Sequence, residues 1–278
     1  MKKVLLLGSS GKLGTALDEI LASDYEIVGV NSAILDICEH VKLEQLVQET
    51  KPNIVINTVA NRLIGECEEN PHAALTVNSI LPKCLAILSC KYEFKLIHFS
   101  TDSVFDGRKT SSFYFEDDLA HPVNVYGATK LAGESLLRAY CSDYYIFRVS
   151  VLFGRNQKMQ FVEKMLERVR CGETKLAIAD DVVSTPTYSY DIARAVRNYL
   201  ADGLSPGLYH LVNSGKASLF ELMQEIMASL DRNVHIERAS HADFPSTGLK
   251  NLYTPLASRY LHPLRPWQEA VAEYCRTV

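Results

Sequence analysis

The chain has no excess of positive charge: 29 Lys and Arg stand against 33 Asp and Glu, a formal net charge of −4. No basic field is present to draw in nucleic acid or an anionic membrane surface, so neither is expected as a partner. Long apolar runs are also missing. The opening run holds four apolar residues between Lys3 and Gly8, far short of a signal segment or a membrane span. The seven cysteines are odd in number with no Cys-x-x-Cys pair, and the eight histidines include no His-x-x-x-His pair. These spacings argue against a disulfide frame and against a metal site, and fit reduced thiols in a cytoplasmic protein. No internal repeat, low-complexity tract or long linker occurs. What is present is a chain of 278 residues, 47% hydrophobic, enough for a full core in one large or two modest domains.

Strand and helix patterns alternate over the first 150 residues. The spacing predicts strands at 3–7, 25–30, 53–58, 94–100 and 144–150, with helices at 12–22, 39–50, 72–91 and 122–140. This alternation predicts an α/β fold built on a Rossmann-type, doubly wound parallel sheet covered on both faces. After Ser150 the pattern loosens into a helix near 158–171, a strand near 175–178, an extended 184–188, a helix near 189–201 and a strand at 207–212. Residues 1–150 are expected to form a nucleotide-binding Rossmann domain, completed by about 180–205, while 151–179 and 206–278 form a smaller C-terminal α/β substrate lobe.

The first strand runs into Gly8-Ser9-Ser10-Gly11-Lys12-Leu13-Gly14, and a helical pattern follows with Leu13, Leu17, Ile20 and Leu21 on one face. A strand, a glycine turn and a helix N-terminus make an anion site. Backbone amides and the helix dipole point at a pyrophosphate, and glycines let the backbone approach it. The second strand ends at Asn31, where an acid would bond the ribose hydroxyl of NAD. Asn31 does not repel a 2′-phosphate, and Lys12 is the basic residue nearest in sequence, so NADPH is favoured with NADH also accommodated.

A strand ending in Ser100-Thr101-Asp102 precedes Asn124-Val125-Tyr126-Gly127-Ala128-Thr129-Lys130. On a helix, Tyr126 and Lys130 share one face. A free tyrosine, with a pKa of about 10, is a poor acid or base at neutral pH. A unit charge ~5 Å away at an effective dielectric of ~20 contributes roughly 3 kcal/mol, so a lysine helped by an oxidised nicotinamide ring would depress that pKa. Thr101 could then hold a carbonyl oxygen beside the phenol while a hydride moves elsewhere.

These motifs identify a resemblance that runs essentially end to end. The glycine turn, Leu35-Asp36-Ile37, Ile56-Asn57, Val77-Asn78 and Ser100-Thr101-Asp102-Ser103-Val104-Phe105-Asp106-Gly107 carry it. So do 124–133, Ser184-Thr185-Pro186-Thr187-Tyr188, Gly207-Leu208-Tyr209-His210-Leu211 and Pro266-Trp267. The chain resembles the extended short-chain dehydrogenase/reductases, and among them the dTDP-4-dehydrorhamnose reductase-like family. The resemblance implies that Thr101, Tyr126 and Lys130 form a catalytic triad. It implies cofactor contacts from Gly8, Gly11, Lys12, Leu13, Gly14 and Asn31, from Asp36 and Ile37 around the adenine, and from Ala60, Asn61, Arg62 and Phe99 beside the nicotinamide. Thr101, Asp102, Ser103, Val151 and Lys250 match sugar-side positions. The implied reaction is reduction of a 4-keto-6-deoxy sugar carried on a nucleoside diphosphate, in deoxysugar and polysaccharide biosynthesis; a homodimer is allowed.

Departures from the family pattern cluster on the sugar side. Ser103 and Val151 replace aromatic residues, Gly65 replaces an aspartate beside Glu66, and Lys250-Asn251 stand where an Arg-Pro is usual. They fit either an altered sugar specificity, with Ser103 and Val151 facing each other across one widened cavity, or drift with other residues filling the space. The chain also resembles the regulatory β subunit of methionine adenosyltransferase, which binds NADP without turnover, and that remains the alternative. An epimerase is a third, weaker fit.

Overall fold

A computed structural model describes residues 1–31, 40–155, 160–245 and 247–278. Asp36 and Ile37 lie outside the described residues. The first half runs β1 (Lys2–Leu7), α1 (Lys12–Leu21), β2 (Tyr25–Val30), α2 (His40–Thr50), β3 (Ile54–Asn57) and α3 (Ile64–Glu69). There follow α4 (Pro71–Leu75), a π-helical turn (Thr76–Ile80), α5 (Leu81–Tyr92), β4 (Lys95–Thr101), α6 (Val125–Tyr140) and β5 (Tyr144–Val149). The second half holds β6 (Leu152–Phe153), α7 (Phe161–Arg170), β7 (Lys175–Ala179), β8 (Val183–Ser184), β9 (Thr187–Tyr188), α8 (Ser189–Asp202) and β10 (Gly207–His210). It ends with β11 (Asn213–Ser214), β12 (Ala217–Ser218), α9 (Leu219–Ser229), β13 (His235–Ala239), β14 (Leu264–Pro266) and α10 (Trp267–Cys275).

Six strands form one sheet in the order β10-β5-β4-β3-β1-β2, and all of its pairings are parallel. Successive side chains of a strand point to opposite faces. Val4 and Leu6 therefore enter one core with Leu13 and Leu17 of α1 and Ile192 and Val196 of α8. Leu5 and Leu7 enter the other, with Leu43 of α2, Leu85 of α5 and Leu137 of α6. The doubly wound sheet expected from the alternation is the one observed. Strand order reverses at β1/β3, which opens a crevice above the carboxyl ends of these strands. Beyond the sheet, β7 pairs in parallel with β13, and α9 packs on both.

The helix expected over 72–91 is broken in three. Pro82 has no N–H to offer the carbonyl of Asn78, so the regular helical bond at that position cannot form. The ladder slips into a π turn instead. α6 presses against the same spot: a Cβ on Gly133 would lie 2.1 Å from the Asn78 carbonyl oxygen. The stretch Pro71–Tyr92 has the length and hydropathy of a membrane span, with half of its most apolar window buried inside the protein. α6 begins at Val125, later than the expected 122, because the Asn124 side chain caps it by accepting from Gly127 N–H at 2.8 Å. The six-residue α3 was not foreseen; it is too short to show a helical period.

Candidate active site

A cleft of about 760 Å³ lies over the carboxyl ends of β1 to β5. Gly8, Gly11, Lys12, Leu13, Asn31, Ala60, Asn61, Arg62, Phe99, Thr101, Tyr126 and Lys130 all line it. Residues expected from five separate stretches of sequence thus meet at one place.

The glycine turn is shaped by close backbone packing. Gly8 has φ +85°, a conformation that favours glycine, and its N–H donates to Val30 O at 2.8 Å. Gly14 does not line the cleft; a Cβ there would meet the Gly8 carbonyl oxygen at 2.1 Å, so this glycine lets α1 lie directly on the turn. Gly11 is the N-cap of α1 and provides no side-chain cap. The first-turn amides are therefore left to a ligand on the cleft side, which is what a pyrophosphate requires. The residues present fit a dinucleotide at this end.

Lys12 is not the open cation expected from sequence. Its side chain is buried, its ammonium pairs with Glu163 of α7 at 2.8 Å, and it donates to Leu152 O at 3.1 Å. Burial lowers its pKa, and the Glu163 charge opposes that fall. Arg62 is exposed on the cleft wall, and its charge reaches both Lys12 and Tyr126, favouring the deprotonated form of each.

Asn78 was a family landmark without an assigned role, and the structure supplies one. Its Oδ1 accepts from Asn61 N–H at 2.9 Å, and its Nδ2 donates to Asn61 O at 2.8 Å and to Thr129 Oγ1 of α6 at 3.1 Å. The π turn therefore clamps the cleft wall to α6. Asn78→Ala should leave the half-buried Asn61 N–H without its partner, at about 1–3 kcal/mol, while Asn61 O keeps Cys67 Sγ at 3.4 Å. The expected result is a lower unfolding midpoint in urea together with weaker NADPH binding; an unaltered midpoint would remove the clamp.

α6 sits close to the turn after β4 because residue 127 is glycine: a Cβ there would lie 2.1 Å from the Ser103 carbonyl oxygen. That approach puts Tyr126, in the first turn of α6, next to Thr101 at the end of β4. Burial pushes the Tyr126 phenol up to about 12, while a hydrogen bond with Thr101 pulls the other way. Lys130 is fully buried where Tyr126 is half-buried, and burial brings its pKa down to about 8 against the opposing charge of Glu134. Its Nζ lies 2.6 Å from Phe99 O and 3.1 Å from His98 Nε2, turned to β4. The structure does not show the expected depression of Tyr126 by Lys130. Desolvation disfavours both ions, and it exceeds the Coulomb attraction counted from sequence alone.

The lysine shift carries a stability prediction. Between about 8 and 10.5 the unfolded chain binds a proton at Lys130 that the folded chain does not, so this group makes stability rise with pH across that window. At ~1.36 kcal/mol per unit the gain is on the order of 3 kcal/mol. Urea unfolding of wild type and Lys130→Met at pH 8 and 10 should show the difference between them widening in favour of wild type. A difference independent of pH would contradict the buried, shifted lysine.

Of the expected sugar-side residues, Thr101 lines this cleft and Asp102, Ser103, Val151 and Lys250 do not. Asp102 is buried, and its carboxylate accepts from Ser150 Oγ at 2.7 Å, Thr254 Oγ1 at 2.9 Å and Thr101 Oγ1 at 3.1 Å. It orients Thr101 and is tied to the C-terminal part of the chain through Thr254, a residue that no sequence signal marked. Ser103 and Val151 do not face each other across the cleft; neither lines it. The Ser103 carbonyl lies under Gly127, and the Val151 side chain packs on the core while its carbonyl accepts from Thr187 N–H at 2.8 Å. Lys250 is exposed and also does not line the cleft. Side-chain direction at strand ends, which motif spacing does not carry, explains the difference.

The RmlD substrate binding domain family model matches residues 1–278. The chain is 31% identical over 281 residues to the spore coat polysaccharide biosynthesis protein SpsK of Bacillus subtilis, covering 99% of this chain and 97% of that protein. It is 30% identical over 279 residues to the dTDP-4-dehydrorhamnose reductase of Mycolicibacterium smegmatis, covering 98% of this chain and 84% of that protein. The structure of a dTDP-4-dehydrorhamnose reductase from Clostridium acetobutylicum superposes with a TM-score of 0.93 at 29% identity, covering 99% of each chain. That of the Bacillus anthracis dTDP-4-dehydrorhamnose reductase in complex with NADP superposes with a TM-score of 0.94 at 28% identity, covering 100% of each. With its whole length matched, its sheet order and its glycine turn, this chain belongs to the RmlD substrate binding domain family, the dTDP-4-dehydrorhamnose reductase-like branch of the extended short-chain dehydrogenase/reductases.

Proposed function

We propose that this protein is an NADPH-dependent reductase of a 4-keto-6-deoxy sugar carried on a nucleoside diphosphate, acting in deoxysugar and polysaccharide biosynthesis. The observation that carries this reading is the meeting of Thr101, Tyr126 and Lys130 in the wall of a cleft whose far end is an uncapped glycine turn. A dinucleotide bound there supplies the hydride. Tyr126 gives its phenolic proton to the sugar carbonyl oxygen as that oxygen gains charge. A phenol held up to about 12 stays protonated throughout the neutral range, as an acid in the reducing direction must. Thr101, oriented by Asp102, holds the same oxygen, and Lys130 holds the nicotinamide ribose. Residues Gly8, Gly11, Leu13, Asn31, Ala60, Asn61 and Phe99 contact the rest of the dinucleotide, with Arg62 rather than Lys12 as the open cation. Asn31 brings no negative charge against a 2′-phosphate, and the Bacillus anthracis relative was solved with NADP.

On this reading residues 151–179 and 206–278 form the substrate lobe, and the protein works in the cytoplasm away from membranes. A homodimer is the assembly to test by light scattering. The deciding experiment is an assay on a panel of nucleotide-linked 4-keto sugars with NADPH and NADH side by side. Turnover of at least one sugar, dependent on Tyr126, is expected. Tight NADPH binding with no turnover of any sugar would instead fit the NADP-binding regulatory subunit.

A further inference from the structure

Asn57 at the carboxyl end of β3 and His98 in the middle of β4 are fully buried and paired across the sheet, one step behind Lys130, and the mechanism above uses neither. The Asn57 side chain is committed at both ends. Its Oδ1 accepts from Val59 N–H at 3.1 Å, and its Nδ2 lies 3.1 Å from His98 Nδ1. An amide nitrogen only donates, so Nδ1 of His98 accepts and the ring proton sits on Nε2. That Nε2 lies 3.1 Å from Lys130 Nζ. An N–H at Nε2 needs a lone pair to point at, and an ammonium has none.

We propose that Asn57 and His98 set the charge on Lys130 through a buried hydrogen-bond chain that runs from the Val59 N–H to the lysine nitrogen. With Asn57 bonded to Val59, the chain holds Lys130 as a neutral amine that accepts from His98 and donates to Phe99 O. When Lys130 takes up a proton, Nε2 must become the acceptor and the ring proton moves to Nδ1. That proton then faces the Asn57 amide nitrogen, donor against donor. The conflict is relieved only if the amide turns over, so that Oδ1 leaves Val59 N–H, which has no other partner among the described residues. Doubly protonated His98 meets the same conflict, and burial holds its pKa well below the usual histidine value.

The charged surroundings do not override this arrangement. On α6, Glu134 favours the ammonium, but Arg148 of β5 takes both its oxygens, and Ser100 bonds one of them. Tyr126, half-buried on α6, and Cys67, buried on α3, have raised pKa values, so both stay neutral near pH 7. Asp102, after β4, is bonded to three hydroxyls, and Glu68 of α3 accepts from Val125 N–H. Neither β3 nor the π turn contributes a titratable side chain. Burial bringing Lys130 to about 8 agrees with a lysine that changes charge near neutrality. Val59 lines the dinucleotide cleft, so the charge of Lys130 is coupled to the backbone that the cofactor would touch.

This inference rests on Lys130 being the lysine of the active site, and its test needs no turnover. Cofactor-free protein labelled with 15N-histidine and 13Cε-lysine is titrated by NMR, with Lys130→Met used to assign the lysine signal. His98 should carry its proton on Nε2 above the Lys130 midpoint and on Nδ1 below it, both changes sharing one midpoint. A single His98 tautomer through the whole Lys130 titration overturns the proposal, as does a Lys130 ammonium coexisting with an Nε2 proton. In Asn57→Asp the carboxylate accepts from both Val59 N–H and His98 Nδ1–H. His98 should then keep the Nδ1 proton at every pH, and the Lys130 midpoint should rise by about one unit or more. Exchange of tautomers persisting in that variant also overturns it. Failure to reduce any sugar, by contrast, bears on the proposed function and leaves these readouts unchanged.

Discussion

Tyr126→Phe should retain dinucleotide binding and lose turnover by ~10²–10⁴-fold, the usual contribution of a positioned general acid. The substitution removes one hydroxyl and leaves the ring. The first turn of α6 is held by Asn124 and by the close contact of Gly127 with the Ser103 carbonyl, so the helix stays in place without the phenol. Thr101 can hold the carbonyl oxygen only by turning its one proton away from Asp102, and an alkyl hydroxyl is a far weaker acid than a phenol, so it makes a poor substitute acid. Cofactor affinity is read by NADPH fluorescence and chemistry by single-turnover kinetics. If the Phe variant kept more than about a third of the wild-type rate with chemistry limiting, Tyr126 would not be the acid.

Gly11→Val should fold and lose NADPH binding by roughly 100-fold or more, about 2.7 kcal/mol. Gly11 has φ −79° and ψ 165°, a backbone that any residue adopts, and its added Cβ would meet only the Gly8 carbonyl oxygen, at 3.2 Å. The branched side chain then fills the space over the first-turn amides of α1, where a pyrophosphate must come close. Gly14→Ala makes the informative contrast. Its Cβ would lie 2.1 Å from Gly8 O and 2.8 Å from Ser9 Cα, both backbone atoms, so α1 would have to lift off the turn. That variant should lose stability before it loses affinity. Circular dichroism melts beside NADPH titration separate the two. Tight binding by a folded Gly11→Val protein would remove the anion site from the turn.

Much of the fold was legible because its signals are local and periodic. Val4 to Leu7 read as a buried strand and form one, and the glycines at 8, 11 and 14 read as a turn for the same steric reasons that the structure displays. The broken helix at Thr76–Ile80 was not legible, although Pro82 was in view. Apolar residues continue across the break, and a π turn needs a partner to favour it, here the backbone of α6 at Gly133 and Thr129.

The sequence by itself determined which residues could do the chemistry. Tyr126 and Lys130 had to share a helix face, and Thr101 had to end a strand on the ligand side of a parallel sheet, whatever else the chain did. Only the tertiary structure decided what those residues are. Burial raised the tyrosine and lowered the lysine, Glu163 took the charge of Lys12, and three hydroxyls took the carboxylate of Asp102. Thr254 lies 152 positions from Asp102, and His98 lies 32 from Lys130. Spacing along a chain fixes neighbours on one element, whereas desolvation and hydrogen-bond pairing depend on every element packed around a side chain, and those meet only once the chain has folded.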